Sequence, residues 1–255
     1  MSISKIKENA RIALTGKRGK AVCILLAYFV FNIVLSAIIS LFEDKAIIGF
    51  LMDIVYLLIT VPIAFGITIV GIKLKRNEDI KAFDFINIGF SNFGRAWGIA
   101  LSVALKLLLP ILVMVIAGTG LGICIGMAEY TEMGEAIMAL IGLAIFVAYI
   151  ATLIWYIARS LLYSFTTCVA YDNPNMTSSE VVNESARIMK GSRGKYILFG
   201  LSFLGWIIIG AMTLGIGFLW IVPYIEIAEV CFYEHLIQKK ESNNAENNAE
   251  AITEM

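Results

Sequence analysis

Long apolar runs separated by short polar segments dominate the hydrophobic pattern of this chain. A helix needs about 20 predominantly apolar residues to cross a bilayer, and several runs here reach that length. The pattern predicts six membrane-spanning helices at about 21–42, 47–72, 97–126, 136–171, 196–214 and 217–238. The chain is therefore expected to fold as an all-α, polytopic transmembrane helical bundle.

Composition excludes an ordinary soluble domain. The 255 residues are 59% hydrophobic and 16% charged, whereas globular chains carry about a quarter charged residues. The cysteines lie far apart in apolar runs and form no CxxC motif, so a zinc or thioredoxin-type site is not expected. They are Cys23, Cys124, Cys168 and Cys231.

The placement of basic residues predicts the orientation of the spans. Lysine and arginine are enriched in short cytoplasmic loops. Of the 20 basic residues, 17 lie before the first span, in the connections between spans two and three and between spans four and five, or after the sixth span. An even number of spans with both termini in the cytoplasm satisfies all four segments at once.

A short basic sequence, the cassette, occurs twice and each time leads directly into an apolar run. It covers Glu8–Lys20 and Glu184–Lys195, which share eight identical positions when one gap is allowed. A weaker counterpart at 85–97 also ends in Gly-Arg before a span. We therefore predict one transmembrane domain over 1–238, in three repeats of an interfacial helix and a helical hairpin. The repeats cover about 3–76, 80–172 and 178–238, and a disordered cytoplasmic tail follows at 239–255.

The first cassette has the spacing of an amphipathic helix. Ile3, Ile6 and Ala10 recur at helical intervals, which predicts a helix with its apolar face in the lipid headgroup layer. Gly16 and Gly191 are expected to allow the turn into the following span. Anchoring of the topology explains the charges; specific recognition of lipid or of a partner is the alternative. The candidate anchors are Arg11, Lys17, Arg18, Lys20, Arg95, Arg187, Lys190, Arg193 and Lys195.

Ionisable residues within spans are the candidates for function, because each is costly to insert into a bilayer. The candidate intramembrane polar site consists of Arg159, Glu226, Glu229 and Lys106. Glu226 and Glu229 lie one helical turn apart on one face, and Arg159 is predicted at similar depth. We therefore expect an ion pair between Arg159 and one of the glutamates, either structural or part of a proton or substrate relay.

Prolines and glycines suggest breaks and close contacts within the spans. Pro62, Pro110 and Pro223 are candidate helix breaks, which transporters use at substrate sites, although prolines are also common in ordinary spans. Glycines at four-residue spacing predict close helix contacts. These are Gly118, Gly122 and Gly126, and the pair Gly94 and Gly98.

The chain carries no motif of a known enzyme class. The single histidine, His235, leaves no second imidazole for a typical metal site, and no P-loop or nucleophile elbow is present. We expect no enzymatic activity, no cofactor, no metal and no nucleic-acid partner. The anionic inner leaflet is the expected partner, together with a protein partner or a second copy of the chain.

The C-terminal third carries a family resemblance. Residues 196–206, the Gly-Ile-Gly-Phe-Leu-Trp sequence at 215–220, Pro223-Tyr224, and Phe232-Tyr233 resemble the bacterial integral membrane family catalogued as domain of unknown function 975. The cassettes and the segment around Phe90 fit as well. The resemblance implies a multi-span protein of the plasma membrane, mostly of Gram-positive bacteria, without an assigned activity.

Two functions are compatible with these features. The first is permease-like or channel-like handling of a small solute, which predicts a polar cavity at mid-depth lined by Glu226, Glu229 and Arg159. The alternative is a non-transporting accessory, such as an immunity, stress or assembly factor. An accessory is expected to have a packed apolar interior and an exposed groove or basic face.

Overall fold

The computed structural model describes residues 2–42, 46–127 and 135–253, and all regular secondary structure within these ranges is helical. The helices are α1 (Ile3–Ala13), α2 (Arg18–Ser40), α3 (Ala46–Lys75), α4 (Asp84–Ser91), α5 (Phe93–Met127), α6 (Glu135–Ser160), α7 (Thr166–Asp172), α8 (Ser178–Met189), α9 (Arg193–Leu201), α10 (Leu204–Met212) and α11 (Phe218–Thr253). A 3₁₀ turn at Leu161–Tyr163 joins α6 to α7. The all-α prediction is confirmed.

Among the described residues, five segments are long and apolar enough to cross a membrane. They are Arg18–Ser40, Ile47–Lys75, Phe93–Gly126, Ala139–Asp172 and Arg193–Met212. The sixth predicted span corresponds to the first half of α11. This half is not among the five, because Glu226, Glu229 and Glu234 interrupt its apolar sequence. The sixth span therefore stays a prediction.

The ends and breaks of the helices differ from the expected ones. Helices α3, α5 and α11 continue through Pro62, Pro110 and Pro223, so the prolines are not helix breaks. The fifth span is instead divided at 202–203, between α9 and α10. Helix α11 extends to Thr253, where a disordered tail was predicted. The alanines and glutamates of that segment favour helix more than its polarity suggests.

The buried core lies at one end of the bundle, where the short helices meet the beginnings and ends of the long ones. Ile6 of α1, Phe85 of α4 and Val181 of α8 are completely buried. Far from this end the long helices are poorly covered, and Ile116 of α5 and Leu140 of α6 remain 71% and 66% exposed. Such apolar surface is compatible with contact to lipid tails.

The short helices α1, α4 and α8 each pack against the helix that closes a different hairpin. Helix α4 packs on α3, α8 packs on α5 and on α7 with its 3₁₀ turn, and α1 packs on α11. The apolar face of α1 was predicted to lie in the headgroup layer. This prediction is wrong, because Ile6, Ala10 and Leu14 of that face are buried within the protein.

The two cassettes have the same local structure. In each, a short helix ends, a glycine turns the chain, and the next helix begins at an aligned arginine, Arg18 or Arg193. Gly16 and Gly191 have φ of +78° and +83°, a region that residues with a side chain rarely adopt. The predicted role of these glycines is confirmed. The middle segment turns at Asn92 without a positive φ.

Helices α3 and α4 are in close contact through Gly66 and Gly89. A Cβ atom on Gly89 would lie 2.8 Å from the carbonyl carbon of Pro62, and one on Gly66 would meet the carbonyl oxygen of Phe85. The absence of both side chains lets the two backbones touch, as small residues do in membrane helix pairs.

The glycine contacts predicted from spacing are only partly present. Gly98 faces the side chain of Ser178, and Gly118 has an ordinary contact with Tyr149. Added Cβ atoms on Gly94, Gly122 and Gly126 would meet nothing within 4 Å. The four-residue spacing therefore identified the tight contact of Gly98 with Ser178 of α8, but not the backbone contact between α3 and α4.

Replacement of Gly89 by alanine is expected to destabilise the protein by about 1–3 kcal/mol, because the new methyl group would overlap backbone atoms of α3. The matched control is Gly94→Ala, also within a helix but facing open space. It should stabilise by about 0.5–1 kcal/mol through helix propensity alone. Equilibrium unfolding in mixed micelles measures both changes, and equal behaviour of the two variants would contradict the α3–α4 contact.

Candidate functional site

The two predicted membrane glutamates occupy different environments. Glu229 accepts a hydrogen bond of 3.2 Å from the hydroxyl of Tyr196, so α9 and α11 share a polar contact. Glu226 borders a cavity of about 20 Å³ between α2, α3 and α11, whose lining includes Ile67 and Val70. This volume is enough for about one water molecule. The cavity that borders Glu226 is therefore too small for a solute.

The predicted ion pair of Arg159 is not formed. Within the described ranges, no carboxylate lies within 4.0 Å of its guanidinium, and the residue is exposed near the end of α6. Depth along the span was the only basis for the pairing. Helix α6 packs mainly on α5 and on the 3₁₀ turn, a placement that depth along the span does not specify.

Lys106 forms a hydrogen bond within the protein. Its ammonium donates a hydrogen bond of 2.7 Å to the amide oxygen of Asn183, which joins α5 to α8. The lysine was predicted as a candidate membrane site, and the structure places it beside a short helix. The four residues of the candidate intramembrane site are thus not brought together.

Most of the predicted anchors have partners within the protein. Lys17 donates to the carbonyl of Leu74 at 2.9 Å, and Lys20 pairs with Asp79 at 3.4 Å. Both contacts hold the beginning of α2 against the end of α3.

The other anchors with partners lie beyond the first cassette. Arg95 donates to the carbonyls of Ala170 and Asn173, which covers the C-terminus of α7. Arg187 forms two hydrogen bonds with Glu184. Lys195 lies 3.5 Å from the imidazole of His235.

Four anchors have no ion pair or side-chain hydrogen bond to other described residues: Arg11, Arg18, Lys190 and Arg193. Two of them, Arg11 and Arg18, line one cavity of about 470 Å³ between the first cassette, α10 and α11. Its wall includes Trp206 and Trp220, which remain 51% and 56% exposed. The cavity thus combines two guanidinium groups with aromatic surface.

An ion-pair network joins the helices that close the three hairpins. Arg76 follows α3 and donates to both carboxylate oxygens of Asp172 at the end of α7, at 2.6 and 3.1 Å. It also lies 3.7 Å from Glu234 of α11, which pairs with Lys75. Tyr233 donates a hydrogen bond of 3.0 Å to Asp172. The hydrogen bonds to Asp172 raise the pKa of Arg76 above its usual value.

Sequence reasoning missed this network, although the chain carried a signal. A tyrosine followed by an acid ends the fourth and the sixth apolar run, as Tyr171-Asp172 and Tyr233-Glu234. At the corresponding end of the second run the sequence has Lys75-Arg76. Comparison of the three run ends would have suggested complementary charges at one level of the bundle.

Lys7 of α1 covers the division between α9 and α10. Its ammonium donates a hydrogen bond of 2.6 Å to the carbonyl of Ser202 and lies 4.1 Å from the ring centre of Phe203. Burial lowers the pKa of Lys7 from its usual value. A basic residue of the first short helix therefore binds the carbonyl at the end of α9.

The ion-pair network is expected to contribute more stability than the exposed pair of Lys20. Arg76→Gln should lower the free energy of unfolding by about 1–2 kcal/mol, because two charge-assisted hydrogen bonds are lost at a partly buried site. Lys20→Gln is the control and should cost about 0.5 kcal/mol or less, since Asp79 is almost fully exposed. Denaturation in mixed micelles, followed by tryptophan fluorescence, compares the two, and equal losses would argue against the network.

Comparisons with known proteins identify one family. No curated protein and no solved structure matches the chain. One family model, described as a protein of unknown function (DUF975), matches residues 1–240. This range includes both cassettes, the ion-pair network and the cavity at Arg11 and Arg18. The chain therefore belongs to the DUF975 family of proteins of unknown function.

Proposed function

We propose that this protein is a non-transporting membrane accessory, such as an immunity, stress or assembly factor, that acts through contacts with lipid or protein. We further infer that it lies in a bacterial plasma membrane with six spans, three repeats and both termini in the cytoplasm. On this proposal it has neither enzymatic activity nor a cofactor.

The observation that carries the proposal is the distribution of space within the bundle. A solute pathway needs a polar cavity at mid-depth, yet the space beside Glu226 is about 20 Å³. The cavity of about 470 Å³ lies at the side of the bundle, against the first cassette. A packed interior with a basic groove at its edge is what we expect of a protein that works by contact.

The pairing of α11 with α9 and α10 supports a sixth span. Tyr196 of α9 contacts Glu229, and an added Cβ atom on Gly210 of α10 would lie 2.8 Å from the ring of Phe218. The first half of α11 thus runs beside the fifth span along its length. Six spans place the basic cassettes and the ion-pair network on one side, in agreement with the positive-inside rule.

The packing of the short helices supports three repeats. Each of α1, α4 and α8 contacts the closing helix of the hairpin before it, with α1 contacting α11 to complete a ring. The aligned turns at Gly16 and Gly191 add local similarity between the first and third units. The ion-pair network then connects equivalent ends of the three hairpins.

The permease-like alternative rests on one residue, Glu226. Its carboxylate has no ion pair or hydrogen bond among the described residues, and acids within membrane spans can mark proton relays. A permease would use Glu226 to carry protons across the narrow region beside Gly71. A measurement of proton flux into liposomes distinguishes this alternative from the accessory function.

Purified protein in liposomes is expected to leave proton permeability unchanged. A potassium gradient with valinomycin drives proton entry, and an encapsulated pH-sensitive dye reports the rate. Wild type, Glu226→Gln and protein-free liposomes should give the same rate, and a proton ionophore is the positive control. A faster rate in wild type that Glu226→Gln abolishes would overturn the accessory function.

A further inference from the structure

We propose that the cavity at Arg11 and Arg18 binds one anionic phospholipid. The headgroup phosphate would lie at the two guanidinium groups, and an acyl chain would follow the wall formed by Val22, Trp206 and Trp220. This inference rests on the proposed function, since it names the lipid class that the accessory contacts.

The charge of the site favours an anionic ligand. Neighbouring Lys17 and Lys20 of the same cassette are occupied by Asn77 and Asp79. Arg11 and Arg18 have no such partner among the described residues, and they meet at one cavity. The planar guanidinium donates paired hydrogen bonds that match phosphate oxygens. Two such groups at one rim favour an anionic headgroup over a zwitterionic one.

The wall of the cavity favours a ligand with an acyl chain. Trp206 and Trp220 are half exposed, and Leu219 and Val22 add aliphatic surface beside them. Both tryptophans lie within the proposed fifth and sixth spans, where exposed rings meet acyl chains. A soluble phosphate ion would leave this surface uncovered, whereas a lipid covers both the charges and the rings. The volume of about 470 Å³ lies within the usual range of ligand cavities, about 300–1,000 Å³.

The second cassette supplies an internal comparison. Arg187 occupies the position aligned with Arg11, but it is paired with Glu184. Lys190 and Arg193 have no partner among the described residues, and neither lines the cavity that holds Arg11 and Arg18. Lys190 and Arg193 therefore serve as the matched control for substitution of Arg11 and Arg18.

Tryptophan quenching by brominated lipids tests the site directly. Trp97 and Trp155 are replaced by phenylalanine, so that fluorescence reports only Trp206 and Trp220. The full chain is reconstituted in vesicles that contain increasing fractions of phosphatidylglycerol with brominated chains. Parallel vesicles contain phosphatidylcholine with the same brominated chains at equal fractions. Circular dichroism and size-exclusion chromatography verify that each variant is folded.

We expect the apparent affinity for brominated phosphatidylglycerol to exceed that for phosphatidylcholine by about tenfold or more, because each basic residue near anionic lipid contributes to binding. In the variant Arg11→Gln/Arg18→Gln the apparent affinities for the two lipids should be about equal. Arg11→Lys/Arg18→Lys should retain part of it, since the charge remains. The control Lys190→Gln/Arg193→Gln should retain the full preference.

Several outcomes would overturn the lipid site. Equal quenching by the two lipids, or a preference that survives Arg11→Gln/Arg18→Gln, excludes recognition by the two arginines. Loss of the preference in the control shows that general surface charge is responsible. If soluble glycerol phosphate at constant ionic strength removes the preference of the wild type for phosphatidylglycerol, the cavity is a site for soluble anions instead. None of these results changes the outcome of the proton-flux experiment. The lipid site can therefore be disproved while the accessory function stands, and the accessory function can be disproved while the lipid site stands.

Discussion

Burial of the short amphipathic helices against the ends of the long helices is the interaction on which the bundle depends. Lipid tails are as apolar as leucine, so apolar contact between spans gains little inside a bilayer. The faces of α1, α4 and α8 would otherwise meet water or headgroups, where burial of a large apolar side chain contributes about 1.5–3 kcal/mol. This difference explains why Ile6 and Phe85 are completely buried while Ile116 is exposed.

The same end of the bundle concentrates the polar contacts. Arg76, Asp172 and Glu234 connect three closing helices, and Lys17 holds α2 to α3. Once these basic residues are paired, few remain for other roles. Arg11 and Arg18 lie at one cavity beside Trp206 and Trp220, unlike the other anchors, and this makes them candidates for a ligand.

The α3–α4 contact and the space beside Glu226 are both narrow. Gly66 and Gly89 bring α3 and α4 into backbone contact, and the cavity beside Glu226 holds about one water molecule. The space beside Glu226 is smaller than the polar cavity expected of a permease, whereas a larger groove with two arginines lies against the first cassette. This contrast is the basis for the proposed action by contact with lipid or protein.

The sequence by itself determined the helical class, five of the six predicted apolar spans, the glycine turns of the cassettes and the family, because these depend on local composition and spacing. Only the tertiary structure decided which charges meet. Spacing along one helix does not specify its rotation against another, so Arg159 lacks its predicted partner while Arg76 finds Asp172. For the same reason the cavity at Arg11 and Trp206, which are far apart in sequence, became visible only when α1, α2, α10 and α11 were placed together.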